Sequence, residues 1–217
     1  MKKIISIFAL IIFLSCQENS KKGEDEKVAS KQEISKSQEI EIQKPKTRLD
    51  SIKEIFKNNP QHKTSGFDFP VGKPDAKNYY NAQKFTENYH LGEDWNHVNG
   101  GNSDLGHPIY SAANGYVYFA RDNGGGWGNV IRVFHQKQNG EVLESLYAHC
   151  DTILVKEKQF VKKGQKIGTI GTANGAYLAH LHFEIRTDIE KYIGDGYDVD
   201  TTGFVNPTRF INENRSE

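Results

Sequence analysis

Three observations predict a mainly β domain, an antiparallel sheet or sandwich. From residue 67 onward the chain is a series of short β-branched and aromatic runs, at 109–112, 116–121, 130–136, 142–148, 153–155, 166–170 and 181–186. Turn-forming stretches separate them, at Asn114-Gly115, Gly124-Gly125-Gly126, Asn139-Gly140, Lys163-Gly164 and Asn174-Gly175. Strands this short and this closely punctuated build antiparallel sheets. No repeat of 20–50 residues offers a solenoid as an alternative.

Before that domain the texture is different. The chain has 217 residues, enough for one core and a tail. Residues 1–16 read MKKIISIFALIIFLSC: Lys2 and Lys3, an apolar run from Ile4 to Leu14, then a small residue. This is the layout of a secretory signal, and the run is too short for a membrane-spanning helix of about 20 residues. Its end, Phe13-Leu14-Ser15-Cys16, resembles the lipobox of bacterial lipoprotein signals, which implies that Cys16 carries lipid and anchors the chain. That leaves Cys150 as the only other cysteine, so no intrachain disulfide can form and the fold rests on its core or a metal. Residues 17–48 are mixed charge with Ser and Gln and no aromatic residue, the composition of a disordered tether. Leu49, Ile52, Ile55 and Phe56 then recur at helical spacing before Asn58-Asn59-Pro60, which predicts a short amphipathic helix within 49–66 that caps the domain edge. Lys and Arg equal Asp and Glu at 28 each, without a basic block, which argues against a nucleic-acid partner.

The residues that carry chemistry lie within 67–217. In Ala179-His180-Leu181-His182-Phe183-Glu184-Ile185, strand alternation places His180, His182 and Glu184 on one face and Leu181, Phe183 and Ile185 on the other. Upstream, His90-Leu91-Gly92-Glu93-Asp94 reads as extended or looped, with His90 and Asp94 on one face and Gly92 leaving a gap between them for an ion. His90, Asp94 and one of His180 or His182 form the nitrogen and oxygen donor set that zinc takes at a catalytic site, and the remaining histidine is free to handle a proton. A further histidine, His149, ends the predicted strand Ser145-Leu146-Tyr147-Ala148-His149.

His-Leu-Gly-Glu-Asp, then Leu-Tyr-Ala-His, then His-Leu-His-Phe-Glu, with VKKGQKIGTIG between the last two, resemble in order and spacing the lysostaphin/LytM-type zinc metalloendopeptidases, peptidase family M23, over roughly 69–187. The resemblance implies the LytM (duplicated hybrid motif) fold, Zn²⁺ held by His90, Asp94 and His182, and catalytic histidines His180 and His149. It further implies a lipid-anchored, monomeric endopeptidase that cuts peptidoglycan peptides at the bacterial cell envelope, on an outer membrane facing the periplasm. The rival reading is a catalytically silent or autoinhibited module that binds or activates cell-wall hydrolases. Two departures from the family pattern stand out: a Gly- and Asn-rich insertion at 96–106, and Ala179 where proline often precedes the paired histidines.

Other candidates carry less. Glu184 can orient an imidazole or simply be solvated. His97 and His107 are read as loop residues near the site and His62 and His135 as lacking partners, which makes surface or structural roles the reading for all four. Gly124-Gly125-Gly126 lacks the Gly-Lys-Ser/Thr ending of a phosphate loop and reads as a hairpin turn. Cys150 neighbours His149 but should face away from it, as a small buried hydrophobe. Val161-Lys162-Lys163-Gly164-Gln165 resembles the turn of a biotinyl carrier, without the methionine expected beside the lysine.

Overall fold

The computed structural model describes residues 45–215. The predicted signal, Cys16 and the predicted tether up to residue 44 lie outside the described residues.

The first element, α1 (Arg48–Asn58), begins one residue before its predicted start. Thr47 caps it: its hydroxyl accepts from the Asp50 amide at 3.0 Å, and the Asp50 carboxylate accepts from the Thr47 amide at 3.1 Å. Asn59 and Pro60 end it. Ile52 and Phe56, one turn apart, are buried against Phe134, Val142 and Ile189. Each such burial is worth about 1.5–3 kcal/mol, so packing rather than helix propensity holds α1 in place.

Among the described residues ten strands follow: β1 (Tyr79–Gln83), β2 (Glu93–His97), β3 (Pro108–Tyr110), β4 (Gly115–Asp122), β5 (Asn129–Gln136), β6 (Val142–Ile153), β7 (Phe160–Val161), β8 (Lys166–Ile170), β9 (Leu181–Arg186) and β10 (Phe204–Val205). A short helix, α2 (Pro207–Glu213), closes the chain, with Asn206 as its cap and Pro207 in its first turn. The sheet runs β1-β2-β9-β6-β5-β4-β7, with β10 on β9 and β3 on β8, and every named strand pair is antiparallel. Because β6 is long it serves two neighbours: residues Glu144 to Ala148 pair with β9, and Cys150 to Ile153 pair with β8.

The principal core lies on one side of this sheet. Leu181, Phe183 and Ile185 of β9 join Tyr147, Ile131, Val133 and Val117 from the neighbouring strands, and Ile109, Ile167 and Ile170 from β3 and β8. The apolar half of the predicted β9 alternation is therefore core. On the opposite face lie His182, Glu184, Arg186, Glu144 and Arg132, all buried. There Arg132 pairs with Glu144 and Arg186 with Glu184, so each buried charge has a partner.

Strands β1, β2, β7 and β10 and helix α2 are absent from the sequence reading. The β1 and β2 sequences, YYNAQ and EDWNH, are short and rich in polar side chains, and β7 and β10 are two residues each. The predicted strand at 153–155 is the end of β6, which stops at Ile153. Among the described residues no helix is long and apolar enough to cross a membrane.

Candidate functional site

Strand pairing builds the site. Register sets Asp94 of β2 opposite His182 of β9, and Ala148 of β6 opposite His182 on its other side. His90 precedes β2 in extended backbone, as predicted. Its Nε2 lies 2.9 Å from His182 Nδ1 and 3.4 Å from Asp94 Oδ1, and His182 Nδ1 lies 3.1 Å from the same oxygen. A tetrahedral zinc site with bonds of about 2.0–2.1 Å has ligand-to-ligand edges of about 3.3–3.4 Å, so these three atoms stand at the spacing of one coordination sphere. They form the one group of three metal-ligating side chains found so close together among the described residues. Gly92 serves this approach differently from the prediction. A Cβ there would come within 2.7 Å of the Phe183 carbonyl, 2.8 Å of Glu184 Cγ and 2.9 Å of His182 Cε1. The gap it leaves is filled by β9, which brings His182 in; it is not the cavity for an ion.

Glu184 takes the orienting role. Its carboxylate accepts from His182 Nε2 at 2.9 Å, which turns the Nδ1 lone pair toward His90 and Asp94. Arg186 Nε holds the other carboxylate oxygen at 2.6 Å, while its terminal nitrogens donate to the carbonyls of Tyr192 at 3.0 Å and Ile193 at 2.8 Å. Arg186 was not singled out from the sequence, although it occupies the next position on the same face of β9.

The electrostatics follow from these contacts. Burial works against charge on His182, but hydrogen bonds and attraction from Asp94 and Glu184 outweigh it and push its pKa up to about 9. Burial alone would raise the Asp94 carboxyl; His182 first, then His180 and His90, lower it instead. Burial, and then repulsion from His182, lowers His90. The cluster thus favours one positive charge at the point where the three ligand atoms meet, which a divalent cation would supply in place of a proton. On donor chemistry, spacing and the Glu184 contact, the residues fit zinc.

His180 and His149 flank this cluster. His180 Nδ1 lies 2.8 Å from the Leu178 carbonyl and His149 Nδ1 lies 3.2 Å from the Trp127 carbonyl. Each ring therefore donates through Nδ1 and presents the Nε2 lone pair. His180 Nε2 lies 3.7 Å from Asp94 Oδ1, and the two rings are 4.7 Å apart, centre to centre. Burial first, then the His182 and His180 rings, hold His149 down at about 3, so it is neutral at ordinary pH.

His149 reaches the site by breaking the alternation of its strand. Asn129 pairs with Cys150 but Ile131 pairs with Tyr147, so β6 has one residue more than β5 across this interval, a bulge. His149 takes the left-handed backbone conformation there, with φ 59°. Such a conformation is uncommon for a non-glycine residue and is stored at functional sites. As a result Ala148 and His149 both serve the site side, while Cys150 turns into the core. The thiol does face away from the imidazole, and burial pushes its pKa up to about 12, which removes it as a nucleophile.

Asp94, His149, His180 and His182 floor an open cleft of about 390 Å³, with His90 buried behind them. Gly126 and Trp127, from the turn between β4 and β5, and Tyr177 form part of its wall; Gln83, Asp195, Gly196 and Tyr197 line it as well. No residue of α1 does, so that helix leaves the site open. The Gly124-Gly125-Gly126 stretch is a hairpin turn as read, with a wall of the cleft as its second role. Neither His97, which ends β2, nor His107 lines the cleft; their rings pack on each other at 5.1 Å and His107 Nδ1 bonds the Tyr79 hydroxyl at 2.8 Å, the structural role expected of both. The same holds for His62, which stacks on Phe160 at 4.0 Å, and for His135, buried in a neutral network.

Comparison with known proteins finds relatives of this chain. The protein named "Lipoprotein NlpD" of Yersinia enterocolitica is 48% identical over 81 residues, covering 37% of this chain and 78% of that one. The "Murein hydrolase activator NlpD" of Escherichia coli strain K12 is 47% identical over 81 residues, covering 37% of this chain but 20% of its own length. The solved structure of the SpoIIQ-SpoIIIAH pore forming complex shares the fold, with a TM-score of 0.50 at 21% identity over 68% of this chain and 91% of that one. The sequence signature described as "Peptidase family M23" matches residues 89–197, an interval that opens beside His90 and closes at Tyr197, which lines the cleft. With half of its length under that signature and the paired histidines in place, the chain belongs to peptidase family M23.

Proposed function

We propose that this protein is a zinc-dependent endopeptidase that hydrolyses peptide bonds of peptidoglycan, in the stem peptides or their cross-links. The observation that carries the reading is the convergence of the His90, Asp94 and His182 ligand atoms within 3.4 Å of one another, with Asp94 and His182 lining an open cleft beside two histidines with Nε2 lone pairs to offer. His90 Nε2, Asp94 Oδ1 and His182 Nδ1 would hold the ion, and Glu184 would keep His182 turned toward it. Zinc at this point would lower the pKa of its water to about 7 and polarise the scissile carbonyl.

The rest is done by the chain. His180, anchored through Nδ1, takes the water proton at Nε2 and passes it to the leaving amine. His149 is its partner: held neutral, it accepts the second hydrogen of the attacking water at Nε2 while His180 takes the first, and this contact orients the water through the transition state. The cleft is open enough for a short flexible peptide, with Trp127 and Tyr177 to pack against it.

Membrane attachment through lipid on Cys16, after removal of the signal, would hold the domain at the cell envelope. The names of relatives support this, "Lipoprotein NlpD" and, for the Histophilus somni protein, "Outer membrane antigenic lipoprotein B". In this reading 1–16 is the signal with its lipid-bearing cysteine, 17–48 the tether, 49–66 helix and linker, and 67–217 the peptidase domain.

A second reading has a specific observation in its favour. The relatives from Escherichia coli and Salmonella are named murein hydrolase activators, which supports an activator module better than an active peptidase. One experiment separates the two. The mature chain, made soluble by Cys16→Ser, is incubated with purified sacculi, with and without an added cell-wall hydrolase, and the released fragments are read by mass spectrometry. The peptidase reading expects fragments from the protein alone, lost on chelation, restored by zinc and absent for His180→Ala. Release only in the presence of the added hydrolase, equal for His180→Ala, would establish the activator instead.

A further inference from the structure

The insertion at 96–106 has a task in the site. We infer that Asn102 and Asn96 are positioning residues that lock the backbone on which His180 depends, so that the insertion sets the tautomer of the proton-handling histidine. This deepens the peptidase reading and rests on it for its consequence in catalysis, though not for the geometry.

Two successive peptide units precede His180. The first joins Leu178 to Ala179: its carbonyl accepts His180 Nδ1–H at 2.8 Å, and its N–H donates to Asn102 Oδ1 at 2.8 Å. The second joins Ala179 to His180: its carbonyl accepts from Asn96 Nδ2 at 3.1 Å, and its N–H donates to the Gly171 carbonyl at 3.3 Å. One asparagine therefore grips the same rigid plane whose oxygen decides which ring nitrogen of His180 carries hydrogen. With Asn102 in place Ala179 is fully buried, and Asn102 Oδ1 is the acceptor its N–H has there. A plane left with a buried, unmatched donor will rotate, and its carbonyl will leave His180 Nδ1.

The insertion is built to hold Asn102 at that point. His97, the last residue of β2, donates its amide to Asp104 Oδ2 at 3.1 Å, and its carbonyl accepts from Gly100 at 3.0 Å. Gly106 donates to Ile170 at 2.8 Å, and Ile170 donates back to His107 at 2.8 Å, tying the other end to β8. Gly100, Gly101 and Gly106 all have positive φ, at 68°, 57° and 78°, which accounts for the glycine content of a loop this tightly folded. The segment thus bridges the strand of Asp94, the strand beside Gly171, and the residue before His180.

The test reads the histidine directly. In the mature Cys16→Ser chain labelled with ¹⁵N-histidine, two-bond ¹H–¹⁵N correlation spectra report the tautomer of His180 in the metal-free and zinc-loaded protein, assigned by loss of its signals in His180→Gln. The native chain should show the Nδ1–H form alone. Asn102→Ala should give a mixture of both tautomers, and Asn96→Ala a smaller change in the same direction, while Asn102→Asp, which keeps an acceptor at Oδ1, should restore the native spectrum. With sacculi as substrate, Asn102→Ala should lower kcat about tenfold with KM and zinc content unchanged. His180 wholly in the Nδ1–H form in both Asn102→Ala and Asn96→Ala would overturn the inference. Failure of the native chain to cleave sacculi would count against the peptidase reading alone, because the spectra decide the tautomer without turnover.

Discussion

Two histidines on this sheet, His182 and His135, are both buried and both hydrogen-bonded at each ring nitrogen, yet their chemistry is opposite. His182 faces Asp94 and Glu184, and their charges push it up to about 9 despite its burial. His135 faces only neutral groups. Its Nδ1 donates to the Asn114 carbonyl at 2.8 Å, and its Nε2 accepts from the Ser145 hydroxyl at 2.7 Å. Ser145 accepts in turn from the Tyr147 hydroxyl at 2.9 Å, which takes the Ala112 amide at 2.8 Å. Burial then acts almost unopposed and holds His135 down at about 4. Burial by itself makes a structural histidine; two carboxylates aimed at the ring make a cation site.

Replacing Asp94 should have the largest effect on that contrast. Asp94→Ala removes one ligand and the carboxylate that lies closest to three imidazoles, and retained zinc, measured by mass spectrometry after dialysis, should fall from about one equivalent to near zero. The corresponding loss at the other site, His135→Gln, should leave zinc content at its native level.

Next, His180→Ala should separate metal from chemistry. Zinc stays bound, and turnover on sacculi should drop by about 10²- to 10⁴-fold, the range for a lost general base. Full loss of zinc in this variant would move His180 into the ligand set.

His135 provides the pH-dependent arm. Its folded pKa, about 4, lies below the ordinary value of about 6.5, so between those two the unfolded chain binds a proton that the folded chain refuses. Its contribution is fully present above about pH 6.5 and is lost as the pH falls toward 4, a span worth about 3 kcal/mol. Denaturant titrations from pH 7 to pH 4 should show this slope in the native chain and a shallower one in His135→Gln. An unchanged slope would assign acid sensitivity to other groups.

Glu184→Gln should have the mildest effect, weakening zinc by about 10- to 100-fold through the loss of an oriented, charge-supported His182. Competition with a chromophoric chelator measures it. An affinity equal to native would reduce Glu184 to a packing role.

Much of this site was legible from residues alone. His180, His182 and Glu184 share a face because a regular strand alternates every residue, and β9 is regular. His90 and Asp94 declared themselves through a glycine that disfavours helix, although the purpose of Gly92 emerged only with β9 packed against it. His149 was found by its motif, and strict alternation would have sent it to the core with Tyr147. The bulge opposite Val130 reverses that, and a bulge depends on what the partner strand requires. Trp127, Tyr177, Gln83 and Tyr197 left no readable signal, since each lies on a turn or short strand whose role is set by what it faces.

The sequence by itself determined the central antiparallel strands, the apolar face of β9 and His90, Asp94 and the His180/His182 pair as candidate donors, because these depend on periodicity and side-chain chemistry within a few residues; the choice of His182 came from the family resemblance. Only the tertiary structure decided which histidine carries its proton where, how Glu184 and Arg186 support His182, and why an insertion next to β2 bears on a residue far along the chain. The contacts of Glu184 with His182 and Arg186 are local, but their orientation and the reach of the insertion depend on segments separated by many tens of residues, such as Asn102 and Ala179, and a local pattern holds no record of a partner that only folding brings within 3 Å.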